Sequence, residues 1–504
     1  MSDGLADVIE RHAQRRGGDI ALHFEGENFN YRQLWRCIES ATSTLKRAGV
    51  QPGYRVACLS LNDPGVIVLL FALARLGAIL LPLNYRLAPA ELAAVVRHAD
   101  ASLIVAGSIH QTLAGELAAG KGMAVLSLEG FVADRHADSA CIATHGNADS
   151  PVLLVYTSGT TGQPKGALHT QAGLLANCQI AIHAQELTAS DHVLTVLPLF
   201  HVGGLCIQTL PALYAGARVT LHARFDAAAW LADVQRLRPT TSLLVPATMR
   251  AVIQHADFAS TDLCTDLSSL KYLGAGSSSV PTSLIAAFHA RGIPVCQIYG
   301  ATETGPVSIC LHRRDAMGHV GSAGQAGQGV KVRLVDEYGA DVEAGAVGEI
   351  WICAPNVMSG YWPDVRDPDN AAFRDGWFHS GDLGFCDADG FYQVVGRIKD
   401  MIISGGENIY PAEIENLLVD CPQILDATAI GLPDASWGEM VVAVVVQQPH
   451  AALTEADVMA LFDGRLARFK QPRRVIFCES LPKTALGKVQ KALLAQQVAK
   501  LLRA

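Results

Sequence analysis

Residues Tyr156 to Gly166 read Tyr-Thr-Ser-Gly-Thr-Thr-Gly-Gln-Pro-Lys-Gly. The hydroxyl side chains of Thr157, Ser158, Thr160 and Thr161 alternate with Gly159 and Gly162, and the cation Lys165 follows. The apolar run Val152–Val155 precedes them, so a strand should feed a loop whose backbone N–H groups, hydroxyls and ammonium converge on an anion. The chemistry such a loop suits is phosphate binding. The pattern G-x-x-x-x-G-K-[ST] occurs nowhere, so this is not a Walker A loop.

Further polar clusters end or interrupt apolar runs. Phe200-His201 closes Leu197–Phe200, and Gly274-Ala275-Gly276 follows Tyr272-Leu273. Tyr299-Gly300-Ala301-Thr302-Glu303 follows Val295–Ile298, and Ser380-Gly381-Asp382 precedes a turn-rich region. Ser404-Gly405-Gly406-Glu407 comes next, and Pro482-Lys483-Thr484-Ala485-Leu486-Gly487-Lys488 lies near the C-terminus. Taken singly, Glu303, Asp382, Arg397 and Lys488 are ordinary surface charges, and Tyr299 is as suited to a core as to a stacking face.

The elements that must position these groups alternate. Strands are expected at Arg55–Ser60, Ser102–Ala106, Val193–Leu197, Arg218–Leu221 and Ser242–Val245, with helices at Pro89–His98 and Ala227–Leu237 between them. From about residue 320 the pattern turns β-rich, with strands at Val330–Val335, Val347–Cys353 and Phe391–Val395. A small α+β unit follows, with a helix over Pro411–Val419 whose Glu413 and Glu415 face out. It continues with strands at Asp426–Ile430 and Val441–Gln447, and Thr454 caps a helix over Glu455–Arg468. The fold class is α/β: a large N-terminal domain (1–398) of layered α/β subdomains plus a β-rich subdomain, then a small α+β C-terminal domain (399–504). The boundary between them is placed at Lys399.

In this order the motifs resemble the adenylate-forming superfamily, in its acyl-CoA synthetase branch. The resemblance spans nearly the whole chain and implies an ATP-dependent acid:CoA ligase. A carboxylate would attack the α-phosphate of ATP to give acyl-AMP and pyrophosphate, and the CoA thiol would then displace AMP. Two anions must meet, so oriented donors and cations in a dry site would supply most of the catalysis.

The resemblance also implies residue roles. Thr157, Ser158, Gly159, Thr160, Thr161, Gly162 and Lys165 would hold the β- and γ-phosphates. Glu303 would ligate Mg²⁺, with Thr157 a second metal candidate. Thr302, Ala301 and the Gly300 backbone would meet the α-phosphate, while Gly274, Ala275, Gly276 and Tyr299 would form the adenine slot. Asp382 would accept the ribose hydroxyls and Arg397 would flank them. Lys488 would bridge carboxylate and nucleotide during adenylation. After rotation about Lys399, the segment Ser404, Gly405, Gly406 and Glu407 would line the pantetheine tunnel. His201 would stand at the mouth between acyl and thiol tunnels.

Phe200-His201 offers no carboxylate for a substrate ammonium, which argues against an amino acid. A dicarboxylate would need an inward cation, and Arg250 is the nearby candidate. Small residues Gly203, Gly204, Ala275 and Ser277 suggest a deep pocket. A hydrophobic acid is expected, either a medium- or long-chain fatty acid or an aryl acid. Loading of a carrier protein instead of CoA, or a non-catalytic nucleotide-binding role, are the alternatives. No G-x-S-x-G pattern supports a serine hydrolase.

Composition sets the outer limits. The 504 residues are half hydrophobic and 17% charged, which demands more than one packed core. A net charge of −9 argues against nucleic acid as the main partner. The twelve cysteines are scattered without a C-x-x-C pair, as buried apolar side chains in a reducing compartment would be. Val66–Leu83 imitates a membrane span, but Arg75 sits in its middle. A buried helix over about Pro64–Leu76 followed by a short strand is expected instead. No signal peptide is evident, so a cytoplasmic protein without a transmembrane segment is expected, and a homodimer is compatible with this chain.

Overall fold

The structure is a computed structural model that describes residues 4–133, 145–157, 165–259, 265–277, 280–365, 372–434, 437–484 and 488–502. Its centre is the helix Pro64–Leu76, every residue of which is buried. Asp63 caps its N-terminus by accepting from the Gly65 N–H, Pro64 occupies the first turn, and Gly77 at φ 69° ends it. An all-apolar helix must be covered on every side. Arg75 is buried too, and its guanidinium lies 4.8 Å from the Trp35 ring centroid. No described helix is long and apolar enough to cross a membrane.

Two large sheets supply the α/β layers. One has seven strands in the order Gly360–Trp362, Lys165–Thr170, Pro151–Thr157, Ile79–Pro82, Arg55–Leu59, Leu103–Ala106, Ala124–Ser127. From Pro151–Thr157 to Ala124–Ser127 its pairings are parallel, and the first three strands pair antiparallel. The other has nine strands, with Val295–Tyr299, Tyr272–Gly276, Thr241–Leu244, His192–Thr195 and Arg218–Leu221 as parallel neighbours in its middle. Most of these parallel strands are short and largely buried, as strands under helices on both faces must be, while the edge strand Ala124–Ser127 is partly exposed. Polar clusters follow the carboxyl ends of these strands, which is where ligand-binding crevices form in open α/β sheets.

The β-rich region is an antiparallel sheet of Lys331–Val335, Gly348–Cys353, Trp377–Cys386, Phe373–Arg374 and Tyr392–Arg397. A last sheet joins Glu407–Ile409, Ile402–Ser404, Gly438–Gln447 and Ile424–Asp434, with Arg474–Phe477 beside Gly438–Gln447.

Four expectations need correction. Thr454 does cap its helix, but the helix ends at Ala460, and Gly464 at φ 68° turns the chain before Arg468. The strand expected at Asp426–Ile430 runs over Ile424–Asp434. Pro433 is tolerated because this strand is a sheet edge, where its missing N–H breaks no inner ladder. Glu413 and Glu415 are not solvated charges: Lys470 pairs with Glu413 at 2.7 Å, and Glu415 accepts from Lys491 and Thr428. Of the ten described cysteines, all unpaired, six are buried, whereas Cys353, Cys386, Cys421 and Cys478 are only half-buried.

Candidate active site

Strand Pro151–Thr157 delivers Thr157 to the rim of a cleft, and its antiparallel partner begins at Lys165, directly opposite. Ser158, Gly159, Thr160, Thr161 and Gly162 lie outside the described residues. The Lys165 ammonium is 5.1 Å from the Tyr361 ring centroid, and the Tyr361 hydroxyl donates to Glu303 Oε1 at 2.8 Å. One strand pairing therefore brings the lysine of the loop and the carboxylate of a distant turn to the same wall. Sequence reasoning missed Tyr361, which carries no local signal because its place comes from pairing Gly360–Trp362 onto Lys165–Thr170.

Thr302 and Glu303 sit in a single 3₁₀ turn. The Ala301 N–H donates to Thr304 Oγ1 at 2.9 Å, and the Met358 N–H donates to the Glu303 carbonyl at 2.7 Å. Gly300 is required by close approach, since a Cβ there would lie 1.8 Å from the Pro306 carbonyl oxygen. Behind the turn, His169 is fully buried with neither ring nitrogen hydrogen-bonded among the described residues. Burial lowers its pKa to about 4.

Gly274, Ala275 and Gly276 lie in strand Tyr272–Gly276 beside Val295–Tyr299, with Gly276 opposite Ile298. Ser277 follows at φ 71°. The Tyr299 hydroxyl donates to Asp382 Oδ2 at 2.9 Å, and Arg397 Nε donates to Asp382 Oδ1 at 2.8 Å. Burial, then the Asp382 charge, raise the Tyr299 pKa, and Asp382 is the main cause that raises that of Arg397. An ionised carboxylate has about four acceptor positions. Asp382 is thus held by two donors with capacity left for a ligand.

The C-terminal segment borders this cleft. Thr484 N donates to the Lys488 carbonyl at 2.7 Å, and Gln490 N to the Pro482 carbonyl at 2.8 Å, so 482–484 pair antiparallel with 488–490. This pairing puts Lys488 within electrostatic reach of Arg397, Asp382, Glu303, Lys399 and His201. Lys488 is exposed as a residue, although protein atoms gather around its charged end. Lost hydration, then Arg397, lower its pKa, and Asp382 and Glu303 act in the opposite direction.

His201 accepts from the Gly203 N–H at its Nδ1, 3.0 Å away, so the neutral ring carries its proton on Nε2. Burial, then the Lys488 charge, lower its pKa to about 4. His201, Gly276, Ser277 and Thr484 share one cavity of about 290 Å³. Val196, Leu197, Ile207, Leu243, Leu244, Val245, Tyr85 and Phe225 line it, along with Gly203 and Ala247. Gly204 and Ala275 do not reach it: a Cβ on Gly204 would meet the Pro198 carbonyl at 2.4 Å, and Ala275 lies in the core behind. Arg250 does not reach it either, because Nη1 donates to the Leu425 carbonyl at 2.8 Å. Two cations that sequence reasoning overlooked, Arg86 and Arg224, stand exposed at the lining.

Lys399 is exposed in the turn Ile398–Asp400, between the β-rich sheet and the last one. Ser404 to Glu407 form a hairpin whose Gly405 and Gly406 both have positive φ, and none of the four lines the cavity.

Comparison with known proteins identifies the family. The AMP-binding enzyme family matches residues 9–362, and the AMP-binding enzyme C-terminal domain matches 413–488. The indoleacetate–CoA ligase of Aromatoleum aromaticum is 42% identical over 98% of both chains. The crystal structure of the anthranilate CoA ligase AuaEII in complex with anthranoyl-AMP is 26% identical, with TM-score 0.90 over 100% of this chain and 98% of that one. ATP-bound MatB from Rhodopseudomonas palustris is 30% identical, with TM-score 0.89 over 98% and 99% of the two chains, whereas its apo form scores 0.79. The chain belongs to the AMP-binding enzyme family, in the acid–CoA ligase branch of the adenylate-forming superfamily.

Proposed function

We propose that this protein adenylates an aromatic carboxylic acid with ATP and passes the acyl group to CoA. The observation that carries this is the apolar cavity that opens, at His201, Gly276 and Thr484, toward the cleft holding Lys488. Its walls suit a flat ring: Tyr85 and Phe225 supply aromatic surface, and Gly203, Ala247 and Gly276 leave room beside it. The indoleacetate and anthranilate ligases among the relatives support an aryl acid over a long alkyl chain.

Each residue then has a task. Lys165 and the loop before it would hold the outer phosphates. Asp382, fixed by Tyr299 and Arg397, would accept ribose hydroxyls with its remaining lone pairs. The Lys488 ammonium, within electrostatic reach of Arg397, Asp382 and Glu303, would neutralise charge as the carboxylate oxygen bonds the α-phosphorus and pyrophosphate leaves. His201 would present its Nε2–H at the junction. Glu303 would hold Mg²⁺: its Oε1 takes the Tyr361 proton donor and its other lone pairs stay available. No cluster of three or more metal-ligating side chains occurs among the described residues. A single carboxylate suits an ion that takes its other ligands from water and phosphate. When bound, Mg²⁺ would neutralise polyphosphate charge.

The better match to ATP-bound than to apo MatB supports an adenylation pose. Thioester formation would require the unit beyond Lys399 to turn, removing Lys488 and bringing Ser404 to Glu407 inward. The test is pyrophosphate release with indole-3-acetate, anthranilate, benzoate, decanoate and hexadecanoate, with and without CoA. At least tenfold higher kcat/KM for an aryl acid is expected. A straight-chain acid as best substrate, or no release with any acid, would overturn the proposal.

A further inference from the structure

Arg250 lies on helix Pro246–Ile253, whose first turn, with Ala247 and Thr248, walls the acid cavity. Three residues further on, its guanidinium leaves the cavity and crosses 175 positions of sequence to the Leu425 carbonyl, with Nη1 to oxygen at 2.8 Å. That carbonyl is available for a local reason. Strand Ile424–Asp434 pairs Ile424 with Gln447 and Asp426 with Val446, so Leu425 is the extra residue of a β-bulge and has no ladder partner. The strand is also the edge of its sheet. The next residue, Asp426, holds Lys483 Nζ at 2.5 Å, and Lys483 pairs antiparallel with Val489, the neighbour of Lys488.

We propose that Arg250 is a positioning residue that seats the Lys488 segment for adenylation. The wall of the acid cavity grips the bulge at Leu425, and the Asp426–Lys483 pair carries that register to the segment. Rotation of the C-terminal unit must break the Arg250 contact, so it favours the first half-reaction and contributes nothing to the second. The bulge is what makes the grip specific: a regular edge strand would offer a row of equivalent carbonyls, and one freed carbonyl offers a single register. The inference rests on the two-pose mechanism proposed above.

Two measurements test it. In hydrogen–deuterium exchange of the full chain with ATP and Mg²⁺, Arg250→Ala should speed exchange in peptides covering 424–426 and 482–490. The other strands of the same sheet should be unchanged. No acid is needed, so failure of the substrate assignment and failure of this inference are separate results. In kinetics, Arg250→Ala should lower acid-dependent ATP–pyrophosphate exchange about tenfold, as expected for losing a hydrogen bond from a charged donor. Thioester formation from supplied indoleacetyl-AMP and CoA should stay within about twofold. Asp426→Asn, which weakens the second link, should give the same split, and Arg250→Lys should restore part of the first half-reaction. Unchanged exchange in both peptides, or equal loss in both half-reactions in a variant that melts normally, would overturn the proposal.

Discussion

Replacing Asp382 with asparagine separates its two possible jobs. The carboxylate is only 9% exposed and receives two donors, the Tyr299 hydroxyl at 2.9 Å and Arg397 Nε at 2.8 Å. Asparagine keeps the shape but offers one acceptor oxygen and turns an N–H₂ toward the other donor. One hydrogen bond to a charged group is lost, about 1.5–3 kcal/mol. The Arg397 side chain is 43% exposed and can rehydrate, so the stability loss should sit near about 1.5 kcal/mol. The effect on nucleotide should be larger, because the lone pairs that would accept the ribose hydroxyls lose their charge. Two weakened bonds of this kind amount to about 2–3 kcal/mol, or roughly 30- to 150-fold in the ATP dissociation constant. Calorimetric titration with ATP and no acid measures this directly, with thermal melting alongside. Tyr299→Phe keeps the carboxylate and should cost less than about fivefold. An Asp382→Asn variant that melts earlier yet binds ATP within twofold of the wild type would show that the residue only braces Tyr299 and Arg397.

Two other outcomes follow from packing and burial. Gly300→Ala would place a methyl group 1.8 Å from the Pro306 carbonyl and push the Thr302–Glu303 turn aside. Adenylation should fall by at least tenfold and stability by about 1–3 kcal/mol, checked by pyrophosphate release and melting. His169 and His192 are buried and neutral, with pKa values lowered to about 4. Below the unfolded value of about 6.5 the unfolded chain takes up protons that the folded chain refuses, so stability falls as pH drops from about 6.5 to 4. Each histidine adds a limiting slope of about 1.4 kcal/mol per pH unit, with no contribution above about pH 7. His169→Gln should remove one such contribution in urea titrations at pH 7, 6 and 5, and an unchanged slope would contradict this.

What could be read from sequence was local. Pro64–Leu76, Pro89–His98, Ala227–Leu237 and Pro411–Val419 each run between the expected ends, and three of them start with proline. Residue types in the loop after Val152–Val155 marked Thr157 and Lys165, whereas Tyr299 and Glu303 were marked only by the order of motifs that carries the family resemblance. The contacts that give these residues their environment were not legible. Tyr361 reaches Glu303, Arg250 reaches Leu425 and Lys488 reaches Asp382 only through strand pairing and domain docking far along the chain. Arg250 was the one nearby candidate for an inward cation, and sequence could not say which way it faces. A helix turns its side chains by about 100° per residue, and that rotation carried the guanidinium away from the wall that Ala247 and Thr248 form.

The most direct test of the mechanism is to measure the two half-reactions of Lys488→Ala separately. Acid-dependent ATP–pyrophosphate exchange should fall by about 10²–10³, the scale of losing one group that stabilises transition-state charge. Thioester formation from pre-formed acyl-AMP and CoA should remain within about threefold of the wild type, since on the proposed mechanism the ammonium would have left the cleft in that step. Equal losses in both steps would show that Lys488 does not act in adenylation alone.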